Sequence, residues 1–143
     1  MRKRTQSREY ALQLLYQLDL RGQWDTGQAQ ALIDDFWDTY KATTEIRNFA
    51  RELIMGTLAH RSSIDDLISQ HAQHWHINRM AVVDRNILRL GVFELMHLAD
   101  VPPKVSINEA IELAKRFGDA ESAVFINGLL DAIHKAHVHQ AKR

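Results

Sequence analysis

Apolar residues recur along this chain at spacings of three and four, and no run alternates with polar residues at spacing two, so the pattern predicts helices throughout. The stretch from Asn78 to Leu98 is the most apolar. Met80, Val83, Ile87, Gly91 and Leu95 form one stripe, while Val82, Leu88, Leu90, Val92, Phe93, Met96 and Leu98 fill most other directions. A helix apolar nearly all round belongs in the middle of a protein. Asp84, Arg85, Arg89 and Glu94 interrupt it too often for a membrane span. At about 1.5 Å per residue it is roughly 31 Å long, the width of a small domain. The pattern therefore predicts a central core helix over 78–98 whose few charges find partners or reach water.

On either side the same period predicts further helices. A first runs from about Thr5 to Leu20, with Ala11, Leu14, Leu15 and Leu18 inward, and stops at Gly22. Asp25 or Thr26 caps a second, carrying Ala29, Leu32, Ile33, Phe36 and Tyr40 on one face and Asp34, Asp35 and Asp38 on the other. Thr44 and Glu45 open a third that reaches about His60 with Ile46, Phe49, Ala50, Leu53 and Thr57 inward. Ser62 and Ser63, three residues before Asp65 and Asp66, offer a carboxylate variant of the capping box for a fourth. Trp75 and Ile77 are expected to anchor the turn into the central helix. Beyond it, two prolines in ADVPPKV forbid continued helix, and Ser106 with Glu109 spells a full capping box before Ile107, Ala110, Ile111, Ala114 and Phe117. Gly118 is expected in the left-handed conformation, and Asp119 to Ser122 start a last helix with Phe125, Ile126, Leu129 and Ile133 facing in. The expectation is an all-α fold: a single domain over 1–143, built as one bundle of about seven helices, with 136–143 a frayed tail.

Composition narrows the class. The 143 residues contain no Cys, which excludes disulfides and thiolate chemistry, and 18 Lys and Arg balance 18 Asp and Glu. MRKRTQSREY has no apolar run behind it, so neither a signal peptide nor a membrane anchor is expected, and cytoplasm is the default. A neutral total argues against a surface covered in nucleic-acid-binding residues but not against a local patch. The charge is in fact polarised: Arg2, Lys3, Arg4 and Arg8 stand without an acid among the first eight residues, whereas Asp25, Asp34, Asp35, Asp38 and Glu45 face only Lys41. Cations at a helix N-terminus oppose the macrodipole by about 0.3 to 1 kcal/mol each. An anionic partner would justify that placement, because exposed N–H groups and cations then converge on the same phosphates. A solvated terminus whose charge merely aids solubility is the alternative reading.

Catalytic and metal chemistry find little support. His71, His74 and His76 lie close together, as do His134, His137 and His139, but no carboxylate or thiolate stands at ligand spacing and HExxH is absent. The three aspartates of the second helix read as a solvated face. No GxSxG, GxGxxG or P-loop occurs, and Asp84, Arg85 and Arg89 are better explained by structural ion pairs than by a buried active site. The chain is expected to be no enzyme and to need neither cofactor nor metal.

Four blocks carry a resemblance: REYALQLLYQLD from Arg8, DRNILRLGVFEL from Asp84, VPPKVSINEAIELAKRFG from Val101 and FINGLLD from Phe125. In order and spacing they resemble the NusB family of bacterial transcription antitermination factors over nearly the whole chain. The resemblance implies an all-helical RNA-binding protein that pairs with the ribosomal protein NusE, recognises boxA RNA in nascent ribosomal RNA transcripts, and joins NusA and NusG on RNA polymerase. It also implies that self-association occurs in some members, so a homodimer is a further expectation. The family's arginine-rich start corresponds to Arg2, Lys3, Arg4 and Arg8, with Gln13 and Tyr16 on the following turns as base or phosphate partners. The segment between the last two helices corresponds to Lys115, Arg116, Phe117, Gly118, Asp119, Glu121, Ser122 and Phe125.

One departure stands out. Family members often begin Arg-Arg-x-Ala-Arg, whereas this chain reads Arg4-Thr5-Gln6-Ser7-Arg8, which implies weaker or more partner-dependent RNA affinity. Basic grooves and aromatic stacking bind single-stranded RNA, making Tyr16 and Phe125 stacking candidates where exposed, although helical spacing argues for core positions. Four phosphate contacts would set a salt slope of about −0.7 × 4, near −3, or roughly 50-fold weaker binding from 50 to 200 mM salt. Two other readings remain: a protein-interaction scaffold with little RNA affinity of its own, and an RNA-binding domain like those at the front of certain ribosomal RNA cytosine methyltransferases.

Overall fold

The computed structural model describes residues 2–138, and every regular element among them is helical, as the periodicity predicts. The helices are α1 (Lys3–Arg21), α2 (Thr26–Thr39), α3 (Thr44–Ala59), α4 (Arg61–His71), α5 (Val82–His97), α6 (Pro103–Phe117) and α7 (Ser122–Ile133), with a 3₁₀ turn at Ile77–Arg79 and a π-helical turn at His134–Val138. Residues 1–59 and 60–143 form two compact units. No helix of the described residues is long and apolar enough to cross a membrane.

In the first unit α1 packs along α3, and α2 covers both. Ala11, Leu14, Leu15 and Leu18 of α1 and Ala50, Leu53 and Ile54 of α3 are all closed to water. Gly22 ends α1 at φ 63°, a left-handed turn that lets its N–H and that of Gln23 reach the carbonyls of Asp19 and Leu18. Asp25 caps α2 by accepting the Gln28 N–H at 3.1 Å. Tyr10, Phe36, Trp37 and Tyr40 then form an aromatic cluster in which Tyr10 meets the rings of Phe36 and Trp37 edge-on.

In the second unit α5 is central, packed by α4, α6 and α7. All ten residues from Asn86 to Leu95 are buried, and their polar members are partnered within the unit. Arg89 grips Asp65 of α4 through Nε at 2.8 Å and Nη2 at 3.1 Å and donates to Asn86 Oδ1, while Ser106 Oγ donates to Glu94 Oε1 at 3.0 Å. These are the structural pairings expected for charges in an apolar helix.

Several sequence expectations need correction. The central helix starts at Val82 rather than Asn78, because Met80 and Ala81 are extended after the 3₁₀ turn, whose carbonyls at Ile77 and Asn78 accept from Arg85. The box at Ser62 and Ser63 does not form: α4 begins at Arg61, Ser63 donates to the His60 carbonyl, and Asp65 is committed to Arg89. Nor does Ser106 cap α6, which starts at Pro103 behind Pro102; the serine lies a turn inside, buried against Glu94. Gly118 is extended (φ −92°, ψ −172°), not left-handed. It is needed there for space, since a Cβ would sit 2.6 Å from Ser122 Oγ and 2.8 Å from the Ala114 carbonyl oxygen.

Candidate nucleic-acid interface

The first group of predicted residues gathers at the start of α1. Arg2 occupies the N-cap without a side-chain cap bond, and the first turn contains no acid, so the helix leaves its positive end to Arg2, Lys3 and Arg4, all exposed. Ser7 fastens this turn, its hydroxyl lying 3.1 Å from the Lys3 carbonyl and 2.8 Å from that of Ile46 in α3. Arg4 lays its guanidinium 4.3 Å above the Phe49 ring, and Lys3 Nζ meets Glu45 Oε2 at 2.9 Å. A cleft of about 220 Å³ lies here, lined by Lys3, Arg4, Ser7, Glu45, Asn48, Phe49 and Glu52.

Arg8 departs from its three neighbours. It is 2% exposed, with its guanidinium 5.5 Å from the same Phe49 ring, so it does not offer a solvent-facing charge like theirs. Tyr16 is 36% exposed rather than a core residue, and Gln13, one turn earlier, is half-buried.

In the second unit the segment between α6 and α7 holds the other predicted residues. Asp119 closes the turn ahead of α7, its Oδ1 accepting from the N–H groups of Glu121, the N-cap, at 2.9 Å and Ser122 at 3.2 Å, while Ser122 Oγ accepts from the Asp119 N–H. Asp119 and Ser122 thus have a structural task irrespective of any ligand. Lys115 is exposed and loosely paired with Glu112 at 3.6 Å, and Arg116 lies over Phe117, which is exposed instead of facing in. Phe125 is half-buried on the wall of a groove of about 260 Å³, facing Trp75, Arg79 and Asp84.

Sequence reading passed over several of these neighbours. Trp75 is 61% exposed, not the anchor of a turn; its backbone N–H closes the end of α4 on the Ala72 carbonyl, and Ala72 is buried in its place. Asp84 Oδ1 is buried with no hydrogen-bond partner. Glu45 and Phe49 appeared only as helix-start and core residues, and nothing in their spacing marks them as neighbours of Lys3 and Arg4.

The imidazoles form two pairs. His71 and His137 place their Nε2 atoms 2.9 Å apart, and His60 stacks on His97 with ring centroids separated by 3.8 Å. Burial first, and the neighbouring His137 second, lowers the pKa of His71; burial and then His60 lower that of His97. His74 and His76 are exposed, and His139 lies outside the described residues. No group of three or more potential ligands among the described residues could hold a metal ion.

Comparison with known proteins bears on the family. The NusB family model matches residues 5–135. A transcription antitermination protein NusB from Myxococcus xanthus is 45% identical over 137 residues, covering 93% of this chain and 95% of that protein. One from Syntrophus aciditrophicus is 45% identical over 140 residues, covering 98% and 84%. Among solved structures, T. maritima NusB superposes with a TM-score of 0.82 at 39% identity, covering 94% of this chain and 92% of that one. Antitermination factors NusB and NusE in complex with double-stranded RNA give 0.80 at 33% identity, covering 96% and 99%. With the helices in place and the match running through both units, the chain belongs to the NusB family.

Proposed function

We propose that the protein is a transcription antitermination factor that binds boxA-type RNA of nascent ribosomal RNA transcripts together with NusE, and supports assembly with NusA, NusG and RNA polymerase. The observation that carries this reading is the exposed cationic tip of α1: a neutral chain places Arg2, Lys3 and Arg4 at a helix start where they oppose the dipole. Family membership supplies the partner class, since relatives are named antitermination proteins and a NusB–NusE pair has been solved with RNA. The tip acts by charge on phosphates. Tyr16, Gln13 and, in the second unit, Lys115, Arg116, Phe117 and Phe125 offer stacking faces and further polar contacts. Gly118, Asp119, Glu121 and Ser122 shape the backbone between α6 and α7 for the same purpose, and no catalytic step is assigned.

With Arg8 buried, the three exposed cations of the α1 tip contribute at most about −0.7 × 3, near −2, to the salt slope, below the value expected for four. A gel shift comparing boxA with scrambled RNA, with and without NusE, tests the proposal. Tighter binding of boxA that weakens with salt and strengthens with NusE is expected. A second reading, an interaction scaffold without RNA affinity of its own, is favoured by the exposure of Trp75 and of Val124, 77% exposed. Equal shifts for both RNAs with NusE, and none without it, would select the scaffold.

A further inference from the structure

Lys3 does not face solvent alone. Its ammonium reaches 42 residues along the chain to Glu45, in the first turn of α3, and Glu52 lines the same cleft. We propose that Glu45 limits the sequence-independent part of RNA binding by holding the place of a phosphate on Lys3, so that RNA gains this contact only by displacing an internal carboxylate. The inference rests on the RNA-binding reading above.

An acid in the first turn of α3 has an ordinary purpose, since it compensates the positive end of that helix. That purpose requires no cation from α1. Lys3, for its part, opposes the dipole of its own helix, so the pair joins one residue that suits its helix end with one that does not. Both side chains are largely solvated, 56% exposed for Lys3 and 70% for Glu45. Such a pair adds little to stability and opens readily, so a phosphate can take the carboxylate's position.

The exchange has an electrostatic signature. Neutralising a phosphate ordinarily releases the cation condensed on it, and that release makes the affinity depend on salt. When Lys3 leaves Glu45 for a phosphate, the freed carboxylate draws cations toward itself in turn, so the exchange releases fewer counterions on balance than an unpaired Lys would. Without the carboxylate, Lys3 contributes its full share.

The test is a set of fluorescence-anisotropy titrations of boxA RNA against the full chain at about 50 to 200 mM salt, with circular dichroism to confirm equal helical content. Glu45→Gln is expected to tighten binding roughly two- to five-fold at the lowest salt. It should also steepen the log–log salt slope by up to about 0.7 relative to the unaltered chain. Adding Lys3→Gln to that variant should remove both effects. Asp35→Asn makes the same charge change on the exposed face of α2 and reports what long-range charge alone contributes. A Glu45→Gln titration that superposes on the unaltered chain, a gain matched by Asp35→Asn, or a gain that survives the loss of Lys3 overturns the proposal. Absence of salt-dependent binding by the unaltered chain would sink the RNA-binding reading itself, which separates the two failures.

Discussion

Arg4 and Arg8 are one helical turn apart on α1 and share the ring of Phe49, yet they differ in what they can do. Arg4 keeps its side chain at the surface, whereas Arg8 is enclosed, its stem packed as an apolar side chain would be. Arg4→Ala is therefore expected to lower boxA affinity and flatten the salt slope by about 0.7 while leaving the melting temperature within about 2 °C. Arg8→Ala should instead cost about 2 kcal/mol, or roughly 4 to 8 °C. Melting curves and titrations on the two variants separate these outcomes, and equal thermal shifts would refute the division. Ser7 teaches a related lesson. Where family members often carry Ala, it buries a hydroxyl that ties the α1 tip to the Ile46 carbonyl, so this departure from the family pattern touches fastening as well as charge.

At the scale of elements, the motifs that misled were read from sequence spacing alone. SINE has the residues of a capping box, but helix α6 starts a turn earlier on two prolines, and Ser106 is spent on Glu94 of α5. Replacing it with Ala should cost about 1 to 3 kcal/mol in a denaturant titration, because Glu94 stays buried and loses a donor. A change below half a kcal/mol would show that the bond contributes nothing. Asp65 likewise left its expected cap to pair with Arg89 of α5. Asp65→Ala is expected to cost about 3 kcal/mol, at the low end for a broken buried pair because Asp65 still touches water, and a smaller loss than for Ser106→Ala would contradict that ranking. In each case a local hydrogen bond competed with a tertiary one, and the tertiary partner could not be seen from spacing.

For the molecule as a whole, the paired histidines couple stability to pH. The pKa values of His71 and His97 are lowered below the ordinary value of about 6.5, so the unfolded chain binds protons more tightly than the folded one. Their contribution is complete above that value and is lost as pH falls through it toward the lowered folded values. Calorimetry at pH 7.5, 6.5 and 5.5 should accordingly give a falling melting temperature, and a double His71→Asn, His97→Asn variant a flatter profile. A melting temperature that holds or rises over this range would count against the assignment.

The all-helical class, the dominance of the stretch that became α5, and the basic start of α1 were legible in the sequence because each depends on period or local composition. The four family blocks were legible for the same reason, as short runs of adjacent residues. Only the tertiary structure decided that Arg8 is enclosed while Tyr16 and Trp75 are exposed, that Gly118 serves space rather than a left-handed turn, and that Glu45 stands against Lys3. Burial and charge pairing depend on which helix lies beside which. Distance along the chain carries no such information once residues 42 apart can be brought to within 2.9 Å.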